Sequence, residues 1–334
     1  MSCTESVITM YIAMQSDQQQ ALYQSRGAVI SLQQLLIQRH AAKIVEYVPY
    51  TRSIAGISGL HMSKMRGRGI DFEEFRPYQQ GDDIRTIDWR VTARTGTPFT
   101  KVFREERERP VIIAIDQSSN MFFGSQVAFK SVIAAQAAAI FCWMAIDNGD
   151  RVGGLVFSDT EQSLVRPKRS RRSALHLLNQ LQTYNAKLAD KQARLAAAQS
   201  GTVPAGLSKA LADIRRIAKP GSTLYILSDF STLDETALQY LNQLSRHNNV
   251  VCCLIYDALE ENLPLPGYYT ITDGMRKGTL NSYSQTARRD YHTLFQNRMD
   301  ALQGEFTRLQ IPYLKIRTNQ YVVEQIRQWT VQTL

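Results

Sequence analysis

Four short runs, each apolar along nearly its whole length, constrain this chain more than anything else in it: VIIAID (111–116), RVGGLVF (151–157), TLYILSD (223–229) and VVCCLIY (250–256). A strand with one solvated face alternates polar and apolar residues, so a strand without a polar face must be covered on both sides. Between these runs lie segments with helix-like apolar spacing: an Ala-rich stretch from Ser125 to Ile146, then Ser173 to Leu181, Leu207 to Ala218 and Leu233 to Ser245. Strands and helices alternating at this spacing give a doubly wound parallel sheet with right-handed crossovers, and an α/β fold is the expectation. Towards the C-terminus, the hairpin-like GYYTITDGMRKGTL (267–280) and a helix from Tyr291 to Leu309 are expected to add an edge to that sheet. A strand and helix around Tyr313 to Trp329 end the pattern.

Upstream of the first run the sequence changes character. Residues 1–30 read as a polar tail without a sustained period, whereas SLQQLLIQRHAAKIV (31–45) begins at a plausible cap, Ser31, and has helical spacing. Residues 53–103 mix Gly, Arg and acidic residues with short apolar words and read as a satellite of loops and short strands. The division expected is therefore a tail (1–30), a helix plus satellite (31–109) and the α/β domain (110–334). The apolar stretch from Val7 to Met14 is far too short to span a bilayer, so neither a signal peptide nor a membrane span is read there. Cys3, Cys142, Cys252 and Cys253 have no metal-ligand spacing and fit a reducing, cytoplasmic location.

In open α/β sheets, ligands sit beyond the carboxyl ends of the parallel strands. Three loops at that level carry oxygen-bearing side chains: Asp116, Ser118 and Asn120 after the first run, Thr202 in a later turn, and Asp229 at the end of the third run. Carboxylates and hydroxyls are hard donors suited to Mg²⁺, which keeps several waters and uses only one or two carboxylates. The competing reading is helix capping, since Asp and Ser after a strand accept backbone N–H groups without any metal. Capping explains one such loop more easily than three.

Several enzyme classes are excluded by motif. There is no GxxxxGK[ST] phosphate loop, no GxSxG elbow and no HExxH helix, and the five histidines are scattered. A metal-dependent hydrolase built on Asp116 and Asp229 stays open as an alternative. The net charge of +9, with Arg166, Lys168, Arg169, Arg171 and Arg172 close together, leaves a nucleic-acid-binding alternative open too, though no reader motif or aromatic interleaving accompanies them.

The order Asp116-x-Ser118-x-Asn120, then Thr202, then Asp229 resembles the metal-ion-dependent adhesion site of von Willebrand factor A domains, with Asn120 standing where that family usually has a second Ser. A second resemblance is carried by GRGIDFEEFRPYQQGDDIRTIDWRVTARTGTPFTKVF and the run that follows it. Gly69, Phe72, Glu74, Arg76, Tyr78, Gly81, Asp82, Arg85, Ile87, Asp88, Trp89 and Arg94 resemble the signature of the bacterial family called domain of unknown function 58. That resemblance implies a von Willebrand factor A-like core and an association with MoxR-type AAA+ ATPases, without an established reaction. The expectation is a non-catalytic, Mg²⁺-dependent adaptor that joins such an ATPase to a client protein for remodelling or maturation. Ser118, Asn120 and Thr202 are expected as direct ligands, and Asp116 and Asp229 as direct or water-mediated ones. Arg76, Asp82, Arg85 and Asp88 are either charge-paired loop fasteners or part of a docking surface.

Overall fold

The computed structural model describes residues 23–45, 70–79, 84–105, 109–190, 206–272 and 277–333. Two compact units make up the chain: Met1–Thr51 together with Arg109–Leu334, and Arg52–Glu108 between them.

The larger unit is built on a six-stranded sheet. Its strands are β3 (Pro110–Asp116), β4 (Arg151–Phe157), β5 (Gln162–Lys168), β6 (Thr223–Ser228), β7 (Asn249–Tyr256) and β10 (Tyr313–Arg317). They lie side by side in the order β10-β7-β6-β3-β4-β5. All neighbouring pairs are parallel except β4 with β5. The chain starts at β3, winds outward through β4 and β5, then returns to β6 and winds the other way, so its direction switches between β3 and β6. This is a doubly wound, Rossmann-like α/β sheet, as the continuous apolar runs imply.

Side chains on β3 alternate between two cores. Val111, Ile113 and Ile115 join the core on one face, whereas Ile112 and Ala114 join the core on the other. The first face is covered by α1 (Leu32–Ala42), α3 (Lys130–Asp147), α4 (Arg171–Ala189) and α9 (Val322–Thr333). The second is covered by α5 (Leu207–Ile217), α6 (Glu235–Ser245) and α8 (Gln285–Arg308). By length and composition α3 is apolar enough to cross a membrane, yet 89% of that window is buried inside the unit. Its alanines allow close approach to the sheet, where Phe141 stacks on Tyr225 at 4.2 Å.

Several boundaries differ from the sequence reading. Residues 23–30, assigned by sequence to the tail, are held in the larger unit: Ser25 N donates to Gln136 Oε1 at 3.1 Å, Ile30 N donates to Asn185 Oδ1 at 2.8 Å, and Ile30 is fully buried. Helix α1, grouped by sequence with the satellite, packs in the larger unit, where Trp143 Nε1 donates to the Leu35 carbonyl at 3.1 Å. The Ala-rich helix starts at Lys130 rather than Ser125, because the preceding loop is held by other partners: Phe129 N donates to Gly27 O, and Ser125 N to Asp257 Oδ2. β8 (Tyr268–Thr272) and β9 (Lys277–Asn281) form a separate two-stranded sheet and do not extend the central one. The antiparallel edge is β5, whose Arg166, Pro167 and Lys168 give a charged, proline-bearing margin that resists edge pairing.

The smaller unit pairs β1 (Ile70–Pro77) antiparallel with β2 (Phe99–Glu105) and carries a short helix, α2 (Trp89–Thr95). Gly96, at φ 72°, ends that helix in the left-handed conformation.

Candidate functional site

Asp116 ends β3, Ser228 ends β6 and Asp229 follows it, so the two loops meet where the winding direction switches, the position at which open α/β sheets form crevices. The loop after β3 is shaped from within. Gln117 is fully buried, donates from Nε2 to the Ser131 carbonyl at 2.9 Å and accepts from Asn185 Nδ2 at 3.0 Å. Its inward turn leaves Ser119 and Asn120 exposed at the surface, with Ser118 buried behind them.

Asp116 is buried, at 2% exposure. Its Oδ1 accepts from Ser118 N at 2.9 Å and its Oδ2 from Ser228 Oγ at 2.6 Å. Burial, and then the neighbouring Asp229 carboxylate, push its pKa up to about 6 against those hydrogen bonds. No cation among the described residues pairs with it. Asn120 Nδ2 donates to Ser231 Oγ at 2.9 Å, tying the β3 loop to the β6 loop.

Asp229 is in a different electrostatic position. Its Oδ2 lies 2.7 Å from the ammonium of Lys130, the first residue of α3, and that ammonium also reaches Glu260 Oε1 at 2.7 Å. Lys130 is 1% exposed. Burial acts to raise the pKa of Asp229, but Lys130 outweighs it and holds the carboxyl below its ordinary value. Burial likewise acts against the ammonium, and the two carboxylates nonetheless hold Lys130 above its ordinary value. Asp229 Oδ1 accepts from Ser231 N at 2.9 Å, and its backbone carbonyl accepts from Arg298 Nη2 at 2.7 Å. Phe230, between them, sits at φ 53°, an unusual backbone for an aromatic residue, held because its ring is buried against Phe306 at 5.1 Å.

Of the five residues read as metal ligands, the structure thus brings together Asp116, Ser118, Asn120 and Asp229; Thr202 lies outside the described residues. Asp116, Ser118 and Asn120 suit a hard cation: a buried carboxylate lacking a counter-charge, a hydroxyl and an amide oxygen. Asp229 suits one less well, since Lys130 already neutralises it. Among the described residues no three His, Cys, Asp or Glu side chains converge as a metal-holding group. Lys130, Ser228, Glu260 and Arg298 were missed by sequence reasoning. Only Lys130 left a signal, being a lone charge inside the apolar run VAFKSVIAAQAAAIF.

The residues read as docking candidates have local roles. Asp88 caps α2, its Oδ1 accepting from Arg90 N at 2.9 Å and Val91 N at 3.1 Å. Arg76 is half-buried on β1 opposite Thr100, Arg85 is exposed, and Asp82 lies outside the described residues. In the larger unit, Arg166, Lys168, Arg169, Arg171 and Arg172 are all exposed where β5 leads into α4.

Fold and site together define a Rossmann-like α/β domain with a polar, carboxylate-bearing site at its switch point. The chain belongs to the family described as protein of unknown function DUF58, whose model matches residues 74–300. It is 28% identical over 228 residues to the uncharacterized proteins Rv1480 of Mycobacterium tuberculosis and Mb1516 of Mycobacterium bovis, covering 68% of this chain and 68% of each of those. Solved structures similar to it include the conserved hypothetical protein BatB from Bacteroides thetaiotaomicron, at 12% identity and a TM-score of 0.38 over 67% of this chain and 98% of that one. An aerotolerance-related membrane protein from Bacteroides fragilis has 12% identity and a TM-score of 0.36 over the same shares.

Proposed function

We propose that this chain is a non-catalytic interaction module of von Willebrand factor A type that uses Mg²⁺ at the β3 loop to engage a partner protein. The observation that carries this reading is Asp116: a buried carboxylate without a cation partner, beside Ser118 and Asn120, at the mouth of the sheet. Asp116, Ser118 and Asn120 would hold the ion, with Thr202 as the fourth ligand read from sequence. The ion would supply a positively charged, partly hydrated coordination point facing solvent.

The partner class, a MoxR-type AAA+ ATPase acting on a client protein, rests on the family resemblance alone. A cytoplasmic location is supported by Cys142, Cys252 and Cys253, which are free and buried, with burial pushing the Cys142 thiol up to about 12. Co-purification of the full chain with such an ATPase, in Mg²⁺ or in EDTA and with Asp116→Ala, tests the proposal. Capture that depends on both metal and Asp116 supports it; capture indifferent to both assigns the strand-end oxygens to loop capping.

A further inference from the structure

At the carboxyl end of this sheet a lysine with its side chain 2% exposed is held at 2.7 Å by each of two carboxylates. Lys130 lies in α3, Asp229 in the loop after β6 and Glu260 in the short helix after β7 (Ala258–Glu261), so three separate segments meet at one ammonium. None of the three can drift to another partner. Asp229 is fixed at its second oxygen by Ser231 N and at its carbonyl by Arg298. The second oxygen of Glu260 accepts from Asp257 N at 2.9 Å. Asp116 stands outside both ion pairs, and the Arg298 guanidinium is held at the Asp229 carbonyl.

We propose that Lys130 is the residue that sets the charge preference of the cation site: it retains Asp229 for itself, so that the ion is held from the β3 loop with Asp116 as its charged ligand. This rests on the reading of Asp116, Ser118 and Asn120 as a cation site, and goes beyond it by assigning selectivity to a side chain outside the loop motif. Replacing the ammonium with a neutral group frees Asp229 and adds one negative charge at the end of β6, beside the β3 loop that carries Asp116, where an added unit charge is expected to change cation affinity by at least about tenfold. Trivalent ions gain most.

The test is titration of the full chain with Mn²⁺ and with Tb³⁺, followed by calorimetry and by terbium luminescence. Wild type, Lys130→Gln and the double variant Lys130→Gln with Asp229→Asn are compared after cooperative unfolding is confirmed. Lys130→Gln is expected to bind Tb³⁺ at least about tenfold more tightly than wild type and to raise the Tb³⁺ to Mn²⁺ preference. The double variant, which exchanges one neutral pair for another, should return to wild-type affinities within about threefold. A folded Lys130→Gln that binds neither ion more tightly overturns the inference. So does loss of Mn²⁺ binding in the double variant, since Asp229 would then be a ligand; this arm decides the question even if the single variant does not fold. Binding by Lys130→Gln but not by wild type refutes the native Mg²⁺ site and supports the role of Lys130, whereas binding by neither refutes both.

Discussion

At the scale of single residues, the carboxyl end of the sheet is governed by which carboxylate has a cation. Asp229 has Lys130; Asp116 has two hydroxyl or amide donors and no cation. The desolvation cost of Lys130 is offset only while both its partners remain, so removing it leaves two carboxylates with no counter-charge. Lys130→Met is therefore expected to lower unfolding stability by about 3–5 kcal/mol, measured by urea denaturation. A loss below about 1 kcal/mol would mean that water reaches the ammonium and that the pair behaves like a surface bridge. Asp116→Ala should cost less, about 1–3 kcal/mol, because it leaves the buried Ser118 N–H and Ser228 hydroxyl without their acceptor but orphans no charge.

At the scale of elements, β4 shows how closely this sheet packs. A Cβ on Gly154 would meet the Ile113 carbonyl at 2.5 Å and Leu177 Cδ2 at 2.9 Å, so β3 and α4 both bear on that position. Gly154→Ala should destabilise by about 3 kcal/mol in a thermal or urea melt, the scale of overpacking in a core with no room to shift. Helix α6 depends on its cap: Asp234 Oδ1 accepts from Ala237 N at 2.7 Å and from Ser208 Oγ at 2.5 Å. The Ser208 hydrogen bond, foremost, holds the Asp234 carboxyl below its ordinary pKa. A depressed carboxylate stabilises the fold above its unfolded-state pKa of about 3.9, and that contribution disappears as pH falls through the folded value. Asp234→Ala is thus expected to cost about 1 kcal/mol at neutral pH and to flatten the acid limb of the stability curve; an unchanged acid limb would remove Asp234 from the acid response.

At the scale of the whole molecule, a cation that binds only the folded chain must stabilise it. At a hundredfold excess over its dissociation constant the gain is about 2.7 kcal/mol, visible as a rise in Tm. Mg²⁺ should raise the Tm of the wild type and leave that of Asp116→Ala unchanged. Identical melting in Mg²⁺ and EDTA would sink the metal reading without touching the fold, because the core is built from the apolar runs on either side of the sheet and draws on no ion.

Each central strand was legible in the sequence because VIIAID, RVGGLVF, TLYILSD and VVCCLIY are buried on both faces, and burial on both faces is written directly as an apolar run. The position of Asp116 at a strand end followed from the same runs, as did that of Asp229. β5 was not legible: QSLVRPK is an edge strand with a half-exposed pattern and a proline, and it is a strand because β4 offers it a partner. Nor could local pattern place the hairpin, which has apolar alternation enough for a sheet but pairs only with itself. The pairing of Lys130 with Asp229 and Glu260 spans 99 and 130 residues of sequence. A lone lysine in an apolar helix says that a partner must exist; only the winding of β3, β6 and β7 into neighbouring positions decides which carboxylates those are, because the cost of burying the charge is met by whatever the fold brings within reach.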